Sequence, residues 1–307
     1  MNAQPATGLA KILFKDDTQR RLAAGRGSWA ALTREELHVA LVDAEERWSP
    51  ALQGVERPWL CWNVDADWCL VQQRMAAHLG WTPVVGFDPR VGPPPVIKGG
   101  VLIDFNEKLQ LPSMSMMFPL ELAFLFVDDR LAFWHSDLIV RMPLLTKMAT
   151  RFDQLKPGQT AAVDLRTRWY RRWAGFRGRY WELLGCTTRQ ASYDQYQKGC
   201  GWWRRPAHHP NCPSEEERAA RERYMMDHGV GILIWHERHR GDVVPINAKP
   251  LDEGHCTRIG NPRYVAQSPN DVRRDLSKDL SFNYDLQEVC RGLDVTDFLK
   301  DFRQPRA

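Results

Sequence analysis

No stretch of this sequence approaches the roughly 20 consecutive apolar residues that a membrane-crossing helix needs. Its first residues, MNAQPATGLAKILFK, also lack the uninterrupted apolar core of a secretory leader. A cytoplasmic protein with no membrane span is therefore expected. Cysteine is too sparse for a disulfide scaffold. The seven cysteines in 307 residues, Cys61, Cys69, Cys186, Cys200, Cys212, Cys256 and Cys290, are an odd number that fits a reducing compartment. Internal repeats and low-complexity tracts are missing too. A dominant charge is lacking: 42 Lys and Arg oppose 38 Asp and Glu, and a net +4 does not by itself point to nucleic acid as a partner. The imbalance is local, because Arg166 to Arg223 holds 13 Lys or Arg against 6 Asp or Glu, and such a segment can face phosphates.

What is present is apolar bulk and tryptophan. Hydrophobic residues make up 43% of the chain, enough for one large domain or two small ones. The 13 tryptophans suit surfaces where an apolar face must also offer a polar edge, although core filling accounts for most such residues.

Periodicity divides the chain in three. Residues 1–57 read as a helical N-terminal extension: TREELHVALVDAEERW opens with a Thr33-x-x-Glu36 capping box and sets Leu37, Ala40, Leu41 and Ala44 on one face. Residues 58–265 form the body. WLCWNV reads as a strand, DWCLVQQRMAAHLGW as a helix closed by Gly80, TPVVGF as a strand and VLIDF as another. A helix from Pro119, a strand RLAFW, a helix MPLLTKMATRFDQL and a strand AAVDL follow. This alternation predicts an α/β fold with a mixed, largely parallel sheet flanked by helices. VGILIWHE and VVPIN, flanking RHRGD, predict a β-hairpin. Residues 266–307 read as a helical C-terminal tail.

The stretch RLAFWHSDLIV interrupts an apolar run with His135, Ser136 and Asp137. Burying a carboxylate without a partner costs several kcal/mol or more. In parallel sheets the carboxyl ends of strands carry ligands, which places Asp65, Asp67, His135 and Asp137 on one rim. His135 and Asp137, two apart at a strand end, point to the same side and can share a divalent ion. Asp137 as the cap of the helix near Met142 is the competing reading. Asp67 likewise reads as an N-cap as readily as a ligand contact.

The order of elements around His-Ser-Asp resembles that of a GT-A glycosyltransferase over roughly residues 58–260. There an Asp-x-Asp motif after such a strand holds the Mn²⁺ or Mg²⁺ of a nucleotide-sugar donor. The resemblance implies a metal-dependent transfer of a sugar to an unspecified acceptor. Asp137 stands at the motif's last carboxylate and His135 in place of its first Asp. Asp65, Asp67 and Lys98 become candidates for the nucleotide, and His255 in DEGHC for a third metal ligand, with Asp252 and Glu253 behind it. Asp227, or Asp194 in its place, takes the position of the catalytic base. Trp202 and Trp203 in GCGWW resemble an acceptor platform.

Three alternatives remain open on the same residues. Cys186, Cys200, His209 and Cys212 have the ligand types of a structural Zn²⁺ site, at spacings unlike a common finger. The His/Asp/His set suits a metal-dependent hydrolase, such as a zinc-containing one. A non-catalytic protein could use the Trp-rich loop to hold a glycan or partner.

Overall fold

A computed structural model describes residues 34–107, 116–165, 178–202, 209, 211–212, 214–221, 228–256 and 285–299. Its centre is a seven-stranded sheet in the order β3-β2-β1-β4-β6-β5-β7. The strands are β1 (Pro58–Asn63), β2 (Thr82–Phe87), β3 (Val101–Leu102), β4 (Arg130–Trp134), β5 (Gln159–Asp164), β6 (Tyr180–Thr188) and β7 (Asp242–Asn247). Every neighbouring pair is parallel except those made by β6, which runs against both β4 and β5. The sheet is therefore mixed and mostly parallel, as the strand and helix alternation predicts.

Helices cover both faces, so the strands are apolar on both sides and their residues sort by parity. On β1, Leu60 and Trp62 join one core layer while Trp59 and Cys61 join the other. On β4, Leu131 and Phe133 point one way, Ala132 and Trp134 the opposite way. One layer is filled from α1 (Arg34–Leu52), α3 (Met117–Glu121), α5 (Arg189–Gln197) and α7 (Val230–His239). The other is filled from α2 (Ala66–His78), α4 (Met142–Asp153) and α8 (Leu286–Gly292). A short α6 (Glu215–Arg221) precedes α7.

The two flanking segments share this core. Trp48 of α1 is buried and meets Phe105, Phe118 and Phe126 edge-on, at centroid distances of 4.9, 5.7 and 5.8 Å. Val289 and Cys290 of α8, with Leu293 and Val295 after it, are buried in the second layer.

Several local expectations are corrected. VGILIWHE is not a hairpin strand but most of α7, entered through Gly229 in the left-handed region at φ 74°. An added Cβ there would stand 1.9 Å from the Tyr180 carbonyl. ELLGCTT, which the alternation of strand and helix does not assign, belongs to β6, and the RQASYDQYQ after it is α5, capped by the Thr188 hydroxyl accepting from the Ala191 N–H. The helix expected from Pro119 is two short pieces, α3 and a 3-10 turn at Ala123–Leu125.

Candidate metal centre

The carboxyl end of β4 is where the polar triplet falls. His135 still holds the sheet, its N–H donating to the Leu183 carbonyl of β6 at 2.9 Å. The chain then turns, with Leu138 N–H on the His135 carbonyl at 3.1 Å. Gln72 of α2 fixes that turn. Its buried side-chain amide donates to the carbonyls of His135 and Leu138, both at 2.9 Å.

The third residue arrives from far along the sequence. After β7 and a 3-10 turn at Lys249–Leu251, the chain lays His255 opposite Leu138 as an isolated antiparallel bridge. Ile139 N–H donates to the Gly254 carbonyl at 3.1 Å and Cys256 N–H to the Asp137 carbonyl at 2.9 Å. Arg141, at the N-cap of α4, braces the incoming loop by a two-pronged contact to Glu253 at 2.7 and 2.9 Å. A further bond from Arg141 reaches the Gly292 carbonyl of α8 at 2.8 Å.

His135, Asp137 and His255 thus converge. Asp137 Oδ1 is hydrogen-bonded to His135 Nδ1 and lies 3.3 Å from His255 Nε2. One ligand atom of each lies within 4.8 Å of the others. The Asp137 and His255 side chains are 8% and 10% exposed and that of His135 is 32% exposed, so the cluster opens to solvent on the His135 side. The Trp181 ring stands edge-on to His255 at 4.7 Å.

The electrostatics match the geometry. Burial opposes the charge on Asp137, yet the neighbouring His135 charge and the hydrogen bonds from both imidazoles outweigh it and hold the carboxyl well below the usual range. Burial likewise works against a charged His135, but Asp137 overrides it and raises the imidazole to about 9. Two imidazoles and one carboxylate around a shared point are the donor set of a first-row transition ion such as Mn²⁺, Fe²⁺ or Zn²⁺, with open positions left for other ligands. The residues present fit such an ion.

The other candidates fall elsewhere. Asp65 and Asp67 follow β1 on the same rim, but it is Asp65, not Asp67, that caps α2, accepting from the N–H groups of Asp67 and Trp68. Burial raises the Asp65 carboxyl, with the Asp67 charge adding to it and the cap bonds opposing. Lys98 is exposed in the loop before β3, two residues from Gly100, which faces the Pro83 carbonyl near the start of β2 and not the rim. Asp194 ties α5 to α7 by accepting from Trp235 Nε1 at 2.7 Å, and it pairs with Lys198 at 2.8 Å. Asp227 and Trp203 lie outside the described residues.

Trp202 is a correction. It is wholly buried and meets Phe133 edge-on at 4.9 Å, so it is a core residue and no platform for a sugar. The zinc set is another. Cys186 is in the layer of α2 and α4 while Cys200 is in the opposite layer, with the sheet between them. His209 uses both nitrogens, one on Glu121 at 3.1 Å and one accepting from Asn211 N–H at 3.0 Å. Burial pushes the Cys200 thiol up to about 12. Among the described residues, the triad is the one group of His, Cys, Asp or Glu placed to hold an ion.

Two neighbours of the triad were not picked out from the sequence. Glu182, buried on β6, accepts from Arg179 at 3.2 Å, and Arg179 also donates to the His228 carbonyl at 2.7 Å. A lone acid inside the apolar stretch YWELL was the available signal. No helix among the described residues is long and apolar enough to cross a membrane. Compared with known proteins, the chain matches no family model, no curated protein and no solved structure.

Proposed function

We propose that this protein is a metal-dependent glycosyltransferase with a GT-A-like fold, moving a sugar from a nucleotide-sugar donor to an acceptor. The observation that carries the reading is the convergence of His135, Asp137 and His255 at the carboxyl end of β4. The mixed, mostly parallel sheet around it supports the same reading.

In this reading, His135, Asp137 and His255 would hold Mn²⁺ or Mg²⁺, which would supply positive charge to the diphosphate that leaves the sugar. The chain's own contribution is placement. Asp137 holds its carboxylate ionised, Gln72 fixes the turn that presents it, and the Gly254–Ile139 contact sets His255 against it. Asp65 and Asp67 follow the adjacent strand on the same rim, within the region that the donor nucleotide would span. Asp227 is the candidate for the base that takes the acceptor's proton, and Arg179 adds a cation beside the site.

A thermal-shift screen of nucleoside diphosphates and nucleotide-sugars, with and without Mn²⁺, tests this. Ligand at a hundredfold excess over its dissociation constant stabilises the native state by about 2.7 kcal/mol. A shift that needs both nucleotide and metal supports the transferase. A shift with metal alone, and none with any nucleotide, favours the metal-dependent hydrolase that the same donor set permits.

A further inference from the structure

Resting on the reading of His135, Asp137 and His255 as metal ligands, we infer that Trp181 is a positioning residue for the His255 imidazole, aimed by a break in β6 and braced by Arg179. The first observation is the contact itself. The Trp181 indole stands edge-on to the His255 ring, with centroids 4.7 Å apart and planes at 78°. On its other side His255 Nε2 lies 3.3 Å from Asp137 Oδ1. An imidazole tethered at Cβ and at Nε2 can still turn about the line that joins them, and that turn swings the Nε2 lone pair off the shared ligand point. An edge-to-face indole has a preferred geometry of its own and resists the turn. Metal-bound imidazoles are usually oriented by a hydrogen bond from their second nitrogen; Trp181 orients His255 by ring packing.

The second observation is how the strand delivers the indole. Side chains alternate along a strand, yet Leu183 and Leu184, adjacent on β6, both face the layer of α2, α4 and α8. The register against β5 slips at the same place: Ala162 pairs with Gly185, but the next residue, Val163, pairs with Trp181. A regular ladder would set Leu184 opposite Val163 and turn Trp181 toward the opposite layer. The slip instead brings Trp181 onto the face that also holds Leu251 and Cys256, from the loop that carries His255. Bulges re-aim side chains in this way and gather next to active sites.

The third observation is the brace. Arg179 Cζ lies 5.7 Å over the Trp181 ring, close enough for the guanidinium to be attracted to the indole. Arg179 is itself fixed, donating to Glu182 at 3.2 Å and to the His228 carbonyl at 2.7 Å. The indole is therefore held from β6 and from the segment entering α7, independently of the loop that carries His255.

The test uses the full chain and two metals. Mn²⁺ affinity is read from the electron paramagnetic resonance signal of free Mn²⁺ for wild type, Trp181→Ala and Trp181→Phe. Trp181→Ala should bind about ten times more weakly, at the lower end of what loss of a supporting partner costs. Trp181→Phe, which keeps an aromatic ring against His255, should bind as wild type does. In Zn²⁺-loaded wild type, nuclear Overhauser cross-peaks should join the Trp181 indole to the His255 ring protons. Wild-type affinity in Trp181→Ala, affinity in Trp181→Phe as weak as in Trp181→Ala, or missing cross-peaks in the zinc form each overturn the role of Trp181 alone. The cross-peaks decide the matter even if Trp181→Ala does not fold. Wild type that binds neither Mn²⁺ nor Zn²⁺ overturns the metal reading, and this inference with it.

Discussion

Gly254 lies against the carbonyl of Ile139 so closely that a Cβ on it would stand 1.8 Å from that oxygen. No side chain fits there without moving one of the two strands of the bridge. That bridge is what brings His255 to Asp137. Gly254→Ala should therefore cost about 1–3 kcal/mol of stability through overpacking and weaken divalent-ion binding by more than the stability loss implies. Chemical denaturation and Mn²⁺ titration of the same variant would show it, and a stable variant with wild-type affinity would refute it.

Arg141 and Glu253 make a two-pronged ion pair, but their side chains are 42% and 30% exposed. Exposed pairs contribute only about 0–1 kcal/mol. Arg141→Ala should thus barely change the melting temperature. Because Glu253 is two residues from His255, and Arg141 also holds the Gly292 carbonyl, Mn²⁺ affinity should fall by about tenfold, at the lower end of what loss of a supporting partner costs. Calorimetric titration with Mn²⁺ separates the two effects.

Metal binding should depend on pH in a defined direction. Against the effect of burial, Asp137 raises the His135 imidazole to about 9, so in the metal-free protein an ion must displace a proton at neutral pH. Mn²⁺ affinity should rise with pH through the neutral range and level off above about 9. The sign for metal-free stability is the reverse. The His135–Asp137 pair stabilises fully below the ordinary imidazole value, about 6.5, and that contribution is lost as pH rises through about 9. Affinity that falls between pH 6 and 8 would contradict the assignment.

Trp202→Ala should act as a core truncation, costing about 3–5 kcal/mol, since the ring is buried against Phe133. Protein that remains folded should keep its Mn²⁺ affinity, because Trp202 touches none of the three ligands. A selective loss of ligand binding at full stability would return it to a binding role.

The first half of the sheet was legible because β1, β2 and β4 are short apolar runs, and Gly80, in the left-handed region at φ 73°, marks the end of α2 between the first two. Legibility failed where periodicity carries no information. The run VGILIW is buried on all sides in α7, and a continuous apolar run reads equally as helix or strand. β6 is buried on both faces, so YWELLGCTT shows no alternation. At the site, His135 and Asp137 were readable as a polar break in an apolar run. His255 was a guess by order alone, since the bridge to Leu138 is a tertiary contact with no local signal. Trp202 misled for a physical reason: the same indole that suits a sugar surface fills a core as well, and only burial distinguishes the two.

The central claim is that Asp137 holds an ion for a nucleotide, and titration calorimetry of a nucleoside diphosphate with Mn²⁺ against wild type and Asp137→Asn tests it most directly. Asparagine keeps the shape of the side chain and removes the charge that attracts the ion. Wild type should bind the nucleotide only when Mn²⁺ is present, and Asp137→Asn should stay folded and lose that binding. Binding by Asp137→Asn equal to wild type, or no nucleotide binding by wild type under any metal condition, would contradict the account.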